Sequence, residues 1–241
     1  MSGGVGPSSD IAPPKEEHEQ QSNYQTSFPK NNQKPHTRKA FFTFRHLNSL
    51  AVVVVLASSG MVSLEDLAFV VFSIIYMYFL SKVAFPSLSP SMEPPVFGQN
   101  NKILSVYVLI GAMIGLFLPI AYISEGIFEG DKEGIKAAAP HVFLLASQVF
   151  MEGVTFSGKF SIPIRAFVPV FYNSRRIFTI VEWLRSEISK VDGGSAWRLY
   201  LGRGLAIANM AFWCFNLFGF LLPVYLPKAF KIYYSGYKVK H

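Results

Sequence analysis

The feature that most constrains this chain is a charge-free apolar run over residues 103–123. As a helix, a run of about 20 apolar residues is long enough to cross the hydrocarbon core of a bilayer. Residues 64–85 form a second run of this length, which Pro86 and Pro90 end. Of the 241 residues 51% are hydrophobic and only 15% are charged, against about 25% charged residues in a typical globular protein. We therefore predict an all-α, polytopic helical membrane protein and exclude an ordinary cytosolic enzyme.

The apolar runs define a membrane domain between two polar tails. Residues 1–40 are rich in Pro, Gln, Ser and Asn and cannot bury enough apolar surface to fold, so we predict a disordered tail. Residues 228–241 form a basic-aromatic C-terminal tail, whose cations and rings are typical of helix ends at the headgroup level. Between the tails lies a helical transmembrane domain over residues 41–227. We predict five spans in it, at about residues 47–62, 64–85, 103–123, 137–157 and 205–226.

The orientation follows from Lys and Arg, which are enriched in the cytosolic loops of membrane proteins. A basic cluster over residues 38–45 precedes the first span, so we predict a cytosolic N-terminus. The same rule places the acidic loop at residues 124–134 outside and the Arg-rich segment at residues 159–204 inside. Five spans leave the basic C-terminal tail outside, against the rule. Four spans, with residues 137–157 dipping in without crossing, place that tail in the cytosol.

Two local patterns predict how helices begin and pack. Ser63, followed by Glu65 and Asp66, is typical of a helix N-cap with acidic residues in the first turn. Gly111 and Gly115 form a G-x-x-x-G pair, which lets a neighbouring helix approach closely.

Polar side chains interrupt the fourth and last spans. His141, Gln148 and Glu152 follow one another at i, i+7 and i+11, which places them within about 40° on one face of a helix. Asn209 and Asn216 lie seven residues apart on one face of the last span. Such a stripe could relay protons or coordinate a cation. Alternatively, these groups hydrogen-bond across helices and hold the bundle together.

An amphipathic helix is predicted over residues 177–191. Its apolar face contains Ile177, Ile180, Val181, Leu184, Ile188 and Val191, and its polar face contains Glu182, Arg185, Ser186, Glu187 and Lys190. With Trp183 beside the apolar face, this helix could lie in the headgroup plane. The alternative is a helix packed on its own domain.

The sequence shows no pattern for catalysis, a cofactor or a metal. It has no P-loop, no G-x-G-x-x-G and no H-E-x-x-H, and Cys214 is its one cysteine. The net charge of +7 is spread over tails and loops between apolar runs, which favours lipid headgroups over nucleic acid. We therefore expect the partners to be the bilayer and other membrane proteins that contact it through helix packing, with no small-molecule substrate evident.

Two stretches resemble known families. The run from Leu47 to Pro86, with SGMVSLEDLAFVVFSIIYMYFLSKVAFP, resembles a family of uncharacterised plant multi-pass membrane proteins, which implies no particular activity. Residues 165–185, RAFVPVFYNSRRIFTIVEWLR, are similar to the Arg-x-x-Tyr-x-Ser-Arg-Arg and Glu-Leu-Arg stretch of the transmembrane protein 33 family, although Trp183 stands inside the second element. The matching positions are Tyr172, Ser174, Arg175, Arg176, Glu182 and Arg185.

The second resemblance implies a protein of the endoplasmic reticulum or nuclear envelope, with reticulon binding and membrane shaping. It also marks Tyr172, Arg175, Arg176, Glu182, Trp183 and Arg185 as a candidate interfacial or partner-binding segment. The leading hypothesis is a non-enzymatic structural or adaptor protein of the endomembrane system. The alternative is a small transporter or channel with a polar path through the fourth and last spans.

Overall fold

The computed structural model describes residues 44–87, 96–97, 101–156, 160–190 and 195–238, all within the unit Ala40–His241. The N-terminal tail that we predict over residues 1–40 and the end of the C-terminal tail lie outside the described residues. In the described part the chain forms helices and no strand, so the all-α prediction is confirmed. The helices are α1 (Phe44–Ser58), α2 (Leu64–Val83), α3 (Lys102–Ala112), α4 (Leu118–Glu129), α5 (Lys132–Thr155), α6 (Ile162–Ser189), α7 (Ala196–Cys214) and α8 (Leu226–Lys238).

Two π-helical segments join neighbouring helices into long rods. Met113–Phe117 joins α3 to α4, which gives one helix of 28 residues over Lys102–Glu129. Phe215–Tyr225 joins α7 to α8, which gives a helix of 41 residues over Ala196–Gly236. A π-helical turn makes its hydrogen bonds to i+5 and so displaces backbone carbonyls from the regular α-helical ladder.

Four helices are long and apolar enough to cross a membrane, namely α2, α3–α4, α5 and α7–α8. They coincide with four of the five predicted spans, and together they support an integral membrane protein. The remaining predicted span, residues 47–62, corresponds to α1, whose apolar part is shorter and covers His46–Ser58. Helix α5, which contains residues 137–155 of the fourth predicted span, is thus long and apolar enough to cross, and α1 is the shorter helix.

The start of α2 follows the predicted local signal. The Ser63 hydroxyl oxygen accepts the backbone N–H of Asp66 at 3.2 Å, and its O–H donates to the Asp66 carboxylate at 2.8 Å. The N-cap prediction is therefore confirmed. Gly60 has a φ of 71°, a left-handed conformation that suits glycine and turns the chain from α1 into α2.

Helix α5 lies at the centre of the bundle, antiparallel to α1, α3–α4 and α6. We call its C-terminal side the first end, where the Ser161 hydroxyl donates to the Phe85 carbonyl at 2.8 Å and the Tyr233 hydroxyl donates to the Pro86 carbonyl at 3.0 Å. We call its N-terminal side the second end, where α4 stops at Glu129 and α7 begins at Ala196. Helix α6 begins at the first end and finishes at the second.

The amphipathic segment at residues 177–191 forms the second half of α6, which begins much earlier, at Ile162. The face that it buries differs from the predicted one, because Arg176 and Glu187 are fully buried whereas Ile188 is 60% exposed. Buried charges need partners, and both residues find them on neighbouring helices. The spacing of apolar residues within one segment cannot reveal such partners.

Candidate functional site

A polar cluster lies deep in the bundle between α5 and α6. The Gln148 side chain bridges two charges, since its Nε2 donates to Glu152 Oε1 at 2.7 Å and its Oε1 accepts from Arg176 Nη2. The Arg176 guanidinium is fully buried and lies over the Trp213 ring, 4.2 Å from its centroid. A buried charge is costly unless it is paired, and here one amide links the cation to a carboxylate one helical turn away.

Beside this cluster is a cavity of about 1110 Å³ between α1, α3, α5, α6 and the second π-helical segment. Its volume lies slightly above the 300–1,000 Å³ of ordinary ligand pockets. The polar side chains on its wall include Gln148, Glu152, Arg165 and Asn216, with Asn48, Ser49 and Ser105, and most of the wall is apolar. The apolar part includes Leu109, Ala112, Leu116, Leu145, Ala146 and Phe212.

The structure places three of the five residues of the predicted polar stripe on this cavity. Gln148 and Glu152 reach it from α5, and Asn216 reaches it from the second π-helical segment. The Asn216 side-chain oxygen accepts the Tyr107 hydroxyl at 2.7 Å, and the Tyr107 ring stacks on Phe212 at 5.3 Å. Asn216 therefore also ties α3 to the last helix.

His141 and Asn209 lie apart from the cavity and bond to the first π-helical segment. The fully buried His141 donates from Nε2 to the Gly115 carbonyl at 2.9 Å. Asn209 Nδ2 donates to the Ile114 carbonyl at 3.0 Å, while its Oδ1 accepts Trp213 Nε1 at 3.1 Å. These two residues therefore act as interhelical hydrogen-bond partners for carbonyls of the π-helical turn.

The two glycines of the G-x-x-x-G pair lie where α7 comes closest to α3 and the first π-helical segment. A Cβ at Gly115 would lie 2.5 Å from Trp213 Cζ2, closer than real side chains allow. A Cβ at Gly111 would lie 3.0 Å from Phe212 Cζ. Small residues at these positions thus let Trp213 and Phe212 pack directly on the backbone.

A second polar cluster at the second end was not found by sequence reasoning. The fully buried Glu187 carboxylate accepts the Tyr122 hydroxyl at 2.7 Å and contacts Lys190 Nζ at 3.1 Å. Arg198, 4% exposed at its side chain, pairs with Asp131 at 2.9 Å and lies 4.3 Å from the Tyr122 ring centroid. The one available signal was the complementary charge of the acidic loop and the Arg-rich segment.

This cluster corrects the predicted orientation of the loops. Asp131 belongs to the acidic loop that we placed outside, and Arg198 belongs to the Arg-rich segment that we placed inside. Their side chains are 2.9 Å apart, so they cannot lie on opposite sides of a bilayer. The prediction that the whole Arg-rich segment lies on the other side from the acidic loop is therefore wrong.

The candidate partner-binding segment of α6 is mostly used inside the molecule. Tyr172, Arg176 and Trp183 are fully buried, and Tyr172 shares a hydrogen bond of 2.7 Å with Ser73 on α2. Arg175 pairs with Asp66 at 2.9 Å and with Glu65 at 3.2 Å, also on α2. Glu182 and Arg185 are exposed.

Asp131 makes the stability of the second end dependent on pH. Burial raises its pKa, but hydrogen bonds from the Gly134 N–H and Arg198, with the charges of Lys190 and Arg198, outweigh this and hold the pKa below its ordinary value. Because the pKa is lower in the folded state, the stabilisation is complete above the unfolded-state pKa of about 3.9 and is lost as the pH falls through the folded value. Asp131→Asn should cost roughly 2 kcal/mol at pH 7, since Asp131 is partly exposed, and the difference should shrink below pH 4.

Thermal unfolding in detergent between pH 7 and pH 3 measures this effect. Glu133→Gln, at an exposed position two residues away, serves as the control and should leave the profile unchanged. If the unfolding temperatures of the wild type and Asp131→Asn differed by the same amount at every pH, Asp131 would not be the group that makes stability depend on pH.

The fold and these clusters define a helical integral membrane protein whose buried polar groups join its helices. The chain belongs to the family described as Domain of unknown function (DUF7733), which matches residues 42–234. Comparison with curated proteins and with solved structures gave no match. Among the described residues, no group of three or more His, Cys, Asp or Glu side chains is placed to hold a metal ion.

Proposed function

We propose that the protein is a non-enzymatic structural or adaptor component of an endomembrane such as the endoplasmic reticulum. The observation that carries this proposal is that His141, Asn209 and Arg176 use their polar groups to join helices of the same chain. The outward side chains of α2, such as Phe72 and Ile75 at 54% and 62% exposure, suit contact with lipid or with another membrane helix. The local likeness of residues 165–185 to the transmembrane protein 33 family supports the compartment and a membrane-shaping partner, and the longer resemblance supports a plant source.

An adaptor needs a protein partner, which site-specific cross-linking can detect. A photoreactive residue at Ile75 of the full-length protein in native membranes should cross-link to one discrete protein, because this face of α2 is broad and apolar. The same residue at Ile207, which is 55% exposed on α7, provides the comparison and should give mainly lipid adducts. Lipid adducts alone at both positions would overturn the adaptor role.

The proposed topology adds α6 to the crossing helices. Helix α6 has 28 residues and is therefore about 42 Å long, more than the roughly 30 Å of the hydrocarbon core. It runs antiparallel to α5 from the first end to the second, and Arg176 faces the bundle interior, as intramembrane charges do. If α5 crosses the bilayer, α6 has to cross it as well.

The six crossings are then α1, α2, α3–α4, α5, α6 and α7–α8, with both tails on one side. Lys82, Lys102, Arg165 and Lys228 gather at the first end, whereas the acidic Glu125, Glu129 and Asp131 lie at the second. The second end also has cations, but Lys190 and Arg198 there are paired with Glu187 and Asp131, whereas the two tails, which this topology puts on the side of the first end, add further Lys and Arg. We therefore assign the first end to the cytosol. This topology removes the conflict that five spans created for the basic C-terminal tail.

Protease protection in sealed microsomes tests this topology. Tags at the N- and C-termini should both be digested without detergent, while a tag inserted in the turn at Gly60 should be protected. Opposite protection of the two terminal tags would show an odd number of crossings and overturn the six-helix topology. A shared but inverted pattern would overturn only the assignment of the cytosolic end.

The second candidate function is that of a small transporter, which the cavity favours. Gln148, Glu152 and Asn216 line it together, as such a path requires. Cation or proton flux in proteoliposomes should then fall in Glu152→Gln but not in Glu182→Gln, at an exposed position on α6. Unchanged flux in Glu152→Gln, or none in either protein, counts against transport.

A further inference from the structure

The cavity has an apolar wall that the structural role leaves unexplained. Val108 and Leu109 on α3 are 50% and 60% exposed although they line a concave surface, and Phe117 and Phe156 are both 55% exposed there. A concave apolar surface within reach of the bilayer suits a flexible hydrocarbon chain, because the chain can fill it and make van der Waals contacts with its wall.

The first end of this cavity is cationic. Arg165, at the start of α6, lines the cavity and is positioned by a hydrogen bond from its Nε to the Phe160 carbonyl at 3.0 Å. Lys228, at the start of α8, lies with its Nζ 4.5 Å from the centroid of the Phe97 ring, and Phe97 lines the cavity too. Two cations therefore flank the part of the cavity where the proposed topology places the headgroups.

We propose that this cavity binds one membrane phospholipid with an anionic headgroup. An acyl chain lies along the wall formed by Leu109, Ala112 and Leu145, and the headgroup phosphate is bound near Arg165 and Lys228. Glu152 is already committed through Gln148 to Arg176, so the charge left for a ligand at the first end is positive. The proposal rests on the membrane placement in the proposed function and extends it to a specific lipid site.

Native mass spectrometry of the full-length protein in detergent, with equal amounts of phosphatidylglycerol and phosphatidylcholine that share the same acyl chains, tests the headgroup. The wild type should retain phosphatidylglycerol about 25-fold more strongly, since a cation near an anionic headgroup is worth about fivefold in affinity and the effects of two cations multiply. Arg165→Gln should lose about fivefold of this preference, and Arg165→Lys should keep most of it. Arg185→Gln, an exposed position on the same helix, is the matched control and should behave as the wild type.

The acyl chain is tested by filling the cavity. Ala112→Phe should reduce retention of both lipids, whereas Ala211→Phe, at an exposed position on α7 outside the cavity, should not. A thermal melt of each variant in detergent identifies any that fail to fold. If Arg165→Gln does, Lys228→Gln, at the second cation beside the cavity, carries the headgroup test and should lose about fivefold of the preference.

Three results would overturn the lipid site. They are equal retention of the two lipids by the wild type, an unchanged preference in Arg165→Gln, and unchanged retention in Ala112→Phe. A wild-type preference for phosphatidylcholine that Glu152→Gln abolishes would place a cationic headgroup at the site and would equally reject the proposal. None of these results bears on the cross-linking or protease-protection outcomes, so failure of the lipid site is distinguishable from failure of the proposed function.

Discussion

Glu187→Ala is expected to lower the free energy of unfolding by about 3–5 kcal/mol, the usual cost of removing one partner of a buried charged pair. The Glu187 carboxylate is fully buried and is the acceptor for the Tyr122 hydroxyl at 2.7 Å. It is also one of two carboxylates that Lys190 contacts, the other being Asp131 at 3.4 Å. Alanine leaves the buried phenol without an acceptor and opens a space beside it, so two costs add.

Denaturation of the full-length protein by SDS titration from mild detergent measures this change. Glu182→Ala is the matched control, since Glu182 is an exposed glutamate of the same helix and should change stability by less than about 0.5 kcal/mol. Glu187→Gln keeps an acceptor for Tyr122 and should lie between the two. Equal effects of the Glu187→Ala and Glu182→Ala substitutions would mean that the second-end cluster does not stabilise the fold.

Features that depend on neighbouring residues in the chain could be predicted from the sequence. The apolar runs at residues 64–85 and 103–123 predict helices α2 and α3–α4. A helix satisfies its backbone N–H and C=O groups internally, which the hydrocarbon core of a bilayer requires because it contains no water. The N-cap at Ser63 could likewise be predicted, because the signal lies in Ser63, Glu65 and Asp66, which are close together in the sequence. Such signals need no knowledge of the remaining fold.

The buried face of α6 could not be predicted, because its partners come from distant segments. Ile188 follows the apolar period but faces outward, whereas Glu187 faces inward because Tyr122 and Lys190 satisfy it. The prediction of loop orientation was wrong for the same reason, since counting Lys and Arg treats each loop separately from the others. The ion pair between Asp131 and Arg198 joins the N-cap of α5 to the first turn of α7, 67 residues later in the sequence.

The polar stripe shows how far spacing alone extends. One face of α5 carries His141, Gln148 and Glu152, as the period predicts, but their environments differ. His141 meets a carbonyl displaced by the π-helical turn, whereas Glu152 meets a cavity between several helices. Neither the π-helical turn nor the cavity has a signature in the amino-acid sequence, so the division of the stripe into two sites is visible only in the fold.

Arg176→Leu should destabilise the fold by about 3–5 kcal/mol, and the size of the rescue by a second substitution is the informative quantity. Leucine removes a fully buried cation from Trp213 and Gln148 and takes away the positive charge to which Gln148 links the Glu152 carboxylate. A charge left alone at low dielectric is costlier than no charge at all, so Arg176→Leu combined with Glu152→Gln should recover more than half of the loss.

The double-mutant cycle, measured by the same SDS titration, separates electrostatic pairing from packing. Recovery in the double variant would show that Gln148 transmits the pairing between Arg176 and Glu152, since the two charged groups communicate through its amide. Simple additivity would show instead that Arg176 stabilises the bundle through its contact with the Trp213 ring alone. In that case the link from Arg176 through Gln148 to Glu152 would not stabilise the fold, and the position of Glu152 on the cavity would favour the transporter alternative.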